Sequence, residues 1–219
     1  PETKQQIISG LGTQHLEVAV AKLKNKFGVE ITLEVPRVPY RESIRKSCKA
    51  QGRHKKQTGG HGQFGDVWIQ FEPIPGEDVE FAENVFGGSV PKNFFPAVEK
   101  GVRQAAQHGV LAGYPMVGLK ATLLDGSYHP VDSSEMAFKI AGSMAFKEAC
   151  RKADPVLTEP VMKVVTIVPE EYMGDVIGDF NSRRGQINSM EAANGGVEEI
   201  TAFVPLSNMF GYATDLRSK

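Results

Sequence analysis

The chain has 219 residues, enough to bury a sizeable core and to hold two or more domains. Hydrophobic residues at 41% and charged residues at 23% exclude a disordered or fibrous chain, and no apolar run is long enough to cross a bilayer as a helix. The formal net charge of −1 selects no class of partner, so the distribution of charge carries more than its sum.

That distribution is uneven. Arg41, Arg45, Lys46, Lys49, Arg53, Lys55 and Lys56 crowd one stretch against Glu42 and Asp66, and an acidic stretch follows from Glu72 to Glu83. Cys48 and Cys150 are isolated thiols outside any C-x-x-C pair, and the chain carries no secretory signal. A reducing, cytoplasmic setting without a membrane partner is expected. The start at Pro1 and the stop at Lys219, inside a helical pattern, are those expected of a piece of something longer.

Gln5–Ser9 predicts a short strand. Thr13 then caps a helix with Leu16, Ala19, Val20, Leu23 and Phe27 on one face, and Gly28 ends it. Val29, Ile31, Leu33 and Val35 alternate as a strand. The resulting β-α-β over residues 1–39 is half of a small α+β domain, with one sheet edge lacking a partner.

Pro36 and Pro39 mark a boundary, and a second unit follows over residues 40–157. Ile44–Gln57 and Phe64–Phe71 predict two strands joined by a glycine-rich tip, Thr58–Gln63. Val79–Phe86 predicts a third strand, and Lys92–His108 a helix burying Phe94, Phe95, Val98, Val102, Ala105 and Ala106. Val117, Leu119, Ala121 and Leu123 alternate up to Asp125-Gly126, a turn pair. The next residues project as a loop with Tyr128 and His129 at its top. Pro130 keeps His129 out of helix, and Asp132 with Glu135 reads as a capping box. The helix that follows has two apolar stripes. Ala137, Ile140, Ala141 and Met144 form one; Phe138, Gly142 and Phe146 form the other. Such a helix packs on two sides and makes a stiff base for the loop.

Residues 158–219 form the third unit. Val161–Val168 predicts a strand, Pro169-Glu170-Glu171 starts a helix, and two strands flank Asn194-Gly195-Gly196, a hairpin signal. Ser207 opens a last helix. The order β-α-β-β-α is a ferredoxin-like split β-α-β domain short of its final strand.

The stretch from Arg53 to Trp68 admits several chemistries. A nucleotide P-loop needs a G-K-[ST] ending that leads into a helix, whereas this loop leads into a strand. A solvated hairpin with basic flanks is the plain reading. The sharper reading is a basic rod whose glycine tip enters a nucleic-acid groove. Gly59 and Gly60 permit close approach, Arg53, Lys55 and Lys56 neutralise phosphate, and His61 and Phe64 offer stacking surfaces. His15, His54, His61, His108 and His129 show no ligand spacing for a metal. Asp132, Ser133 and Ser134 beside His129 fit helix capping better than a catalytic triad. Arg183 and Arg184 at a helix C-terminus are favoured by the helix dipole alone, and equally read as phosphate contacts.

Several motifs, in order along the chain, carry a resemblance: I-I-S-G-L-G-T-Q-H-L-E at Ile7–Glu17, L-A-G-Y-P at Leu111–Pro115, and G-S-Y-H-P-V-D-S-S-E at Gly126–Glu135. To these are added G-D-V-I-G-D at Gly174–Asp179, R-R-G at Arg183–Gly185 and P-L-S-N-M-F-G-Y-A-T-D-L-R-S at Pro205–Ser218. Together they resemble translation elongation factor G, a five-domain ribosomal translocase driven by GTP hydrolysis. The resemblance implies the second half of domain three, all of domain four and most of domain five. Domain four would then have a fold like the second domain of a small-subunit ribosomal protein. GTP and magnesium would belong to a domain outside this chain, which would itself hold no cofactor, no metal and no catalytic residue.

The partners implied are the ribosome, transfer RNA and messenger RNA. Lys55, Lys56, Gly59, Gly60, His61, Gln63, Tyr128 and His129 would lie at the decoding centre of the small subunit. Arg183 and Arg184 would face the GTPase-associated region of the large subunit. His61 stands where the housekeeping factor commonly has Arg, Asp66 where it has His, and the segment after Glu72 is short. These features resemble the paralogous class of the factor. A role in ribosome recycling or ribosome protection therefore stays beside translocation, as do a stand-alone RNA-binding module and, last, a hydrolytic enzyme.

Overall fold

The computed structural model describes residues 3–57 and 59–219, so Thr58 at the start of the expected glycine tip lies outside the described residues. The chain divides into two compact units, Tyr40–Thr158 and Pro1–Pro39 with Glu159–Lys219.

The Tyr40–Thr158 unit holds the larger core. β1 (Arg41–Ile44), β2 (Cys48–Lys56), β3 (Gln63–Pro73), β4 (Val79–Glu83), α2 (Phe95–Ala106), β5 (Leu119–Ser127), α3 (Glu135–Lys152) and β6 (Pro155–Thr158) follow in order; the helix Thr13–Phe27, α1, belongs to the other unit. The four-stranded sheet runs β2-β3-β5-β4, and β1 pairs separately with β6. The single strand expected over Ile44–Gln57 is thus broken. Arg45 and Lys46 donate their amides to the carbonyl of Ala153, which takes the backbone out of the ladder between β1 and β2. β4 is parallel to β5, the other pairs of this sheet being antiparallel.

α3 lies against both the sheet and α2. Phe138, Ala141, Ala145, Phe146 and Ala149 are fully buried. Phe146 meets Phe71 edge-on at 5.6 Å, and Phe138 stacks on Phe94 at 4.5 Å. Glycines set the spacing. A Cβ on Gly52 would lie 1.9 Å from the Ala141 carbonyl oxygen, and one on Gly65 would lie 2.6 Å from that of Ala137. Gly126, expected in a turn, is inside β5. There a Cβ would meet the Asp66 carbonyl oxygen at 2.1 Å, so its bareness serves strand packing.

Glu42 is fully buried. Its carboxylate accepts backbone N–H groups from Val110, Leu111, Ala112, Gly113 and Tyr114 at 2.6 to 3.2 Å. The L-A-G-Y-P motif is therefore a loop wrapped around an internal anion. Burial acts to raise the Glu42 pKa, and the amides outweigh it, leaving the carboxyl below its ordinary value.

In the other unit, α1 (Thr13–Phe27) has no buried residue, and the stretches either side of it form no ladder among the described residues. The strands expected at Gln5–Ser9 and Val29–Val35 are absent. A lone strand pair cannot cover its own apolar face, and Val29, Leu33 and Val35 remain exposed. β7 (Val161–Pro169), α4 (Met173–Ser182), β8 (Gln186–Ala193), β9 (Val197–Pro205) and α5 (Tyr212–Arg217) build a three-stranded sheet of order β7-β9-β8 under helices. Phe180, Ile200, Ala202 and Val204 form its centre, with Tyr212 stacked on Phe180 at 5.4 Å. The last helix begins at Tyr212 rather than Ser207, because Gly211 at φ 79° turns the chain first.

Candidate functional site

The β2–β3 hairpin and the loop after β5 leave the same end of the sheet. Register fixes this: Lys56 faces Gln63 across the hairpin, and Asp66 on β3 faces Ser127, the last residue of β5. Residues 59–64 and 128–134 are therefore neighbours, and hydrogen bonds at Gly62 and Phe64 bind them into one tip. Gly62 N–H donates to Asp132 Oδ1 at 3.0 Å. Phe64 N–H donates to the Asp132 carbonyl at 2.8 Å, and Ser133 Oγ donates to the Phe64 carbonyl at 2.9 Å.

The sequence pattern makes Asp132 the helix cap; in the structure it joins the two loops instead. The cap of α3 is Ser134, whose Oγ accepts from Ala137 N–H at 3.2 Å. Both residues precede a helix at a suitable distance, and the long-range bond to Gly62 decides between them. Asp132 and Ser133 are the builders of the tip that local pattern does not reveal.

His129 is presented on this support. Its own N–H donates to Ser133 Oγ at 2.8 Å. Its Nδ1 accepts from the amides of Val131 at 3.3 Å and Asp132 at 3.1 Å. The Asp132 carboxylate lies 3.6 Å from the same nitrogen, and the two amide contacts fit the neutral tautomer that leaves Nε2 as the donor. The side chain is 52% exposed. Ser133 Oγ is occupied by backbone groups and makes no bond to the imidazole, so these two side chains do not form a nucleophile–base pair.

The other expected contacts surround this point. Gly59, Gly60, His61, Gln63, Lys55, Lys56 and Tyr128 are exposed. Arg53 lies over the Phe64 ring at 5.7 Å, and the His129 ring is 6.5 Å from it on a tilted plane. Gln63 is tied back to His54 at 2.8 Å. Asp66 is buried away from the tip surface, accepting from Gln51 and Ser127 at 2.8 and 2.7 Å. Among the described residues, no three His, Cys, Asp or Glu side chains converge on a metal site.

Arg183 and Arg184 stand in the other unit. Arg183 is largely covered; it pairs with Asp179 at 2.8 Å and Asp215 at 2.5 Å, and donates to the Asn208 carbonyl at 2.7 Å. Burial lowers its pKa, and the two carboxylates more than restore it. Arg184 adopts φ 60°, unusual without a glycine, and grips Glu159 with both terminal nitrogens at 2.9 Å. More than half of its side chain stays exposed.

The profile described as "Elongation factor G, domain IV" matches residues 36–154. "Elongation factor G C-terminus" matches residues 156–219, and "Elongation Factor G, domain III" matches residues 1–35. The chain belongs to the elongation factor G family. The crystal structure of a protein from Thermus thermophilus is similar to it, with 45% sequence identity and a TM-score of 0.87. That match covers 97% of this chain and 32% of the Thermus protein, so the chain spans about a third of its relative's length. In elongation factor G terms, the joined tip is in domain IV and the Arg183–Arg184 pair is in the C-terminal domain. Among the described residues, no helix is long and apolar enough to cross a membrane.

Proposed function

We propose that this chain is the ribosome-engaging part of a translocation factor, and that its joined tip enters the decoding centre beside transfer RNA and messenger RNA. The observation that carries the reading is the bonding of Gly62 and Phe64 to Asp132 and Ser133, which fixes the loop that presents the half-exposed His129. A tip braced in this way occupies the space left by a moved transfer RNA and opposes its return. Lys55, Lys56 and Arg53 neutralise phosphate along the flank, and His129 and Tyr128 supply hydrogen bonding or stacking. No covalent step is needed. GTP and magnesium would be handled by another domain of the factor.

His129→Ala removes one donor and leaves the tip braced through Asp132. Loss of one hydrogen bond at the barrier, about 1.4 kcal/mol, slows single-turnover translocation about tenfold. Ribosome-stimulated GTP hydrolysis by the factor carrying the substitution stays near its parent rate. An unchanged translocation rate contradicts the role given to His129.

The paralogous reading has one observation in its favour on the tip itself, the exposed His61 at a position where the housekeeping factor commonly carries Arg. A ribosome-splitting assay run beside translocation separates the two: splitting without translocation selects the recycling role.

A further inference from the structure

α2 and α3 approach closely at two glycines. A Cβ on Gly101 would lie 2.0 Å from the Lys139 carbonyl oxygen, and one on Gly142 would lie 2.7 Å from that of Val98. Beside this contact a cleft of about 370 Å³ opens on the outer face of the two helices. Its wall includes Ala105, Met136, Ile140 and Met144, with Lys139 and Lys147 among its polar lining. Met136 is 59% exposed and Met144 41%.

Helical periodicity gives Ile140 and Met144 to a buried stripe of α3; in the structure Met144 stands in the open and Ile140 is half-covered. Charge around the cleft has one sign. His108 also lines it, and no carboxylate does. Glu99 on α2 is paired with Arg103 at 2.8 Å, and Glu148 on α3 with Lys152 at 2.5 Å. Among the described residues, Lys139 and Lys147 have no carboxylate partner. They lie eight residues apart on one helix, two turns along the same edge of the cleft.

We infer that this cleft is a docking site for an acidic amphipathic peptide segment of a protein partner. Carboxylates would meet Lys139 and Lys147, and apolar side chains at helical spacing would enter between Met136, Ile140 and Met144. Methionine suits the purpose, because its unbranched thioether adapts to the shape of an inserted side chain. The volume is that of a site which takes one or two such side chains. An RNA strand would use the lysines but gain nothing from a methionine floor, and that difference favours the peptide. The inference is independent of the tip, which shares none of these residues.

The test uses the 219-residue chain and two fluorescent probes. One is a designed helical peptide with Leu at i, i+3, i+4 and i+7 and Glu at the remaining positions. The other is a uridine dodecamer. A shuffled peptide of the same composition, without the helical spacing, is the control. Saturable binding of the ordered peptide is expected, at least tenfold tighter than the shuffled one. Lys139→Glu with Lys147→Glu weakens it at least tenfold, and so does Met136→Ser with Met144→Ser. The altered side chains are at the surface, so unchanged melting curves verify that both variants are folded. Absence of saturable binding to the ordered peptide overturns the inference. So does equal binding of the shuffled peptide, or a loss confined to the lysine variant with the dodecamer binding more tightly than the peptide. His129→Ala leaves peptide binding unchanged if the cleft is the site.

Discussion

Glu42 shows what a single residue does here. Its sequence context, Y-R-E-S, looks like an ordinary polar strand start, yet its carboxylate organises a loop some seventy positions away. Nothing local could reveal that, because the five donors come together only after folding. The sign of its pH dependence is fixed. The folded carboxyl has a pKa below its unfolded value, so it contributes stability above the ordinary carboxylate range and loses it as pH falls through the folded pKa. Glu42→Gln leaves a neutral amide facing the same donors, and its own NH₂ meets N–H groups. A loss of about 3 kcal/mol at neutral pH is expected. Urea unfolding at pH 7 and at pH 3 checks it: the gap between parent and variant should narrow at the lower pH, and an equal gap contradicts the account.

The tip residues divide on the same ground. His129, Tyr128, Lys55 and Lys56 are legible as presented side chains, because Pro130, the glycines and the run of basic residues are local signals. The joining role of Asp132 is not, since its partner Gly62 is 70 positions away.

At the level of elements, helices and hairpins follow from periodicity and turn chemistry, whereas breaks and edges do not. The expected continuous strand through residues 45–47 is cut by bonds to Ala153, a residue more than a hundred positions on. The alternation at Val29–Val35 reads as a strand but finds no second surface. Glycines in strands prove to be the contact points of α3. Gly52→Ala would force a methyl group to within 1.9 Å of a backbone oxygen on a packed helix, where neither side has a flexible end to move. The expected cost is about 3 kcal/mol or more, with loss of the native melt. Thermal unfolding followed by circular dichroism decides it, and a melting temperature within a degree or two of the parent contradicts the packing described.

For the molecule as a whole, the net charge of −1 hides a basic flank at the tip. Arg53, Lys55 and Lys56 would neutralise about three phosphates of a bound RNA. The affinity for a single-stranded oligonucleotide should then fall with a log–log salt slope of about −2, roughly twentyfold between ~50 and ~200 mM salt. A slope near zero removes these side chains from the interface. Domain content is legible because the family's motifs run in order through all three regions. The behaviour of the first 39 residues is not, because isolated amphipathic segments do not state what covers them.

The most direct test is position. A photo-activated cross-linker replacing His129, in the factor bound to ribosomes carrying transfer RNA and messenger RNA, should attach to RNA of the decoding centre or to the RNAs held there. The same group at Met190, an exposed residue of β8 in the C-terminal domain, should not. Cross-links from position 129 to proteins alone, or RNA cross-links no different from those at position 190, would contradict the placement of the tip.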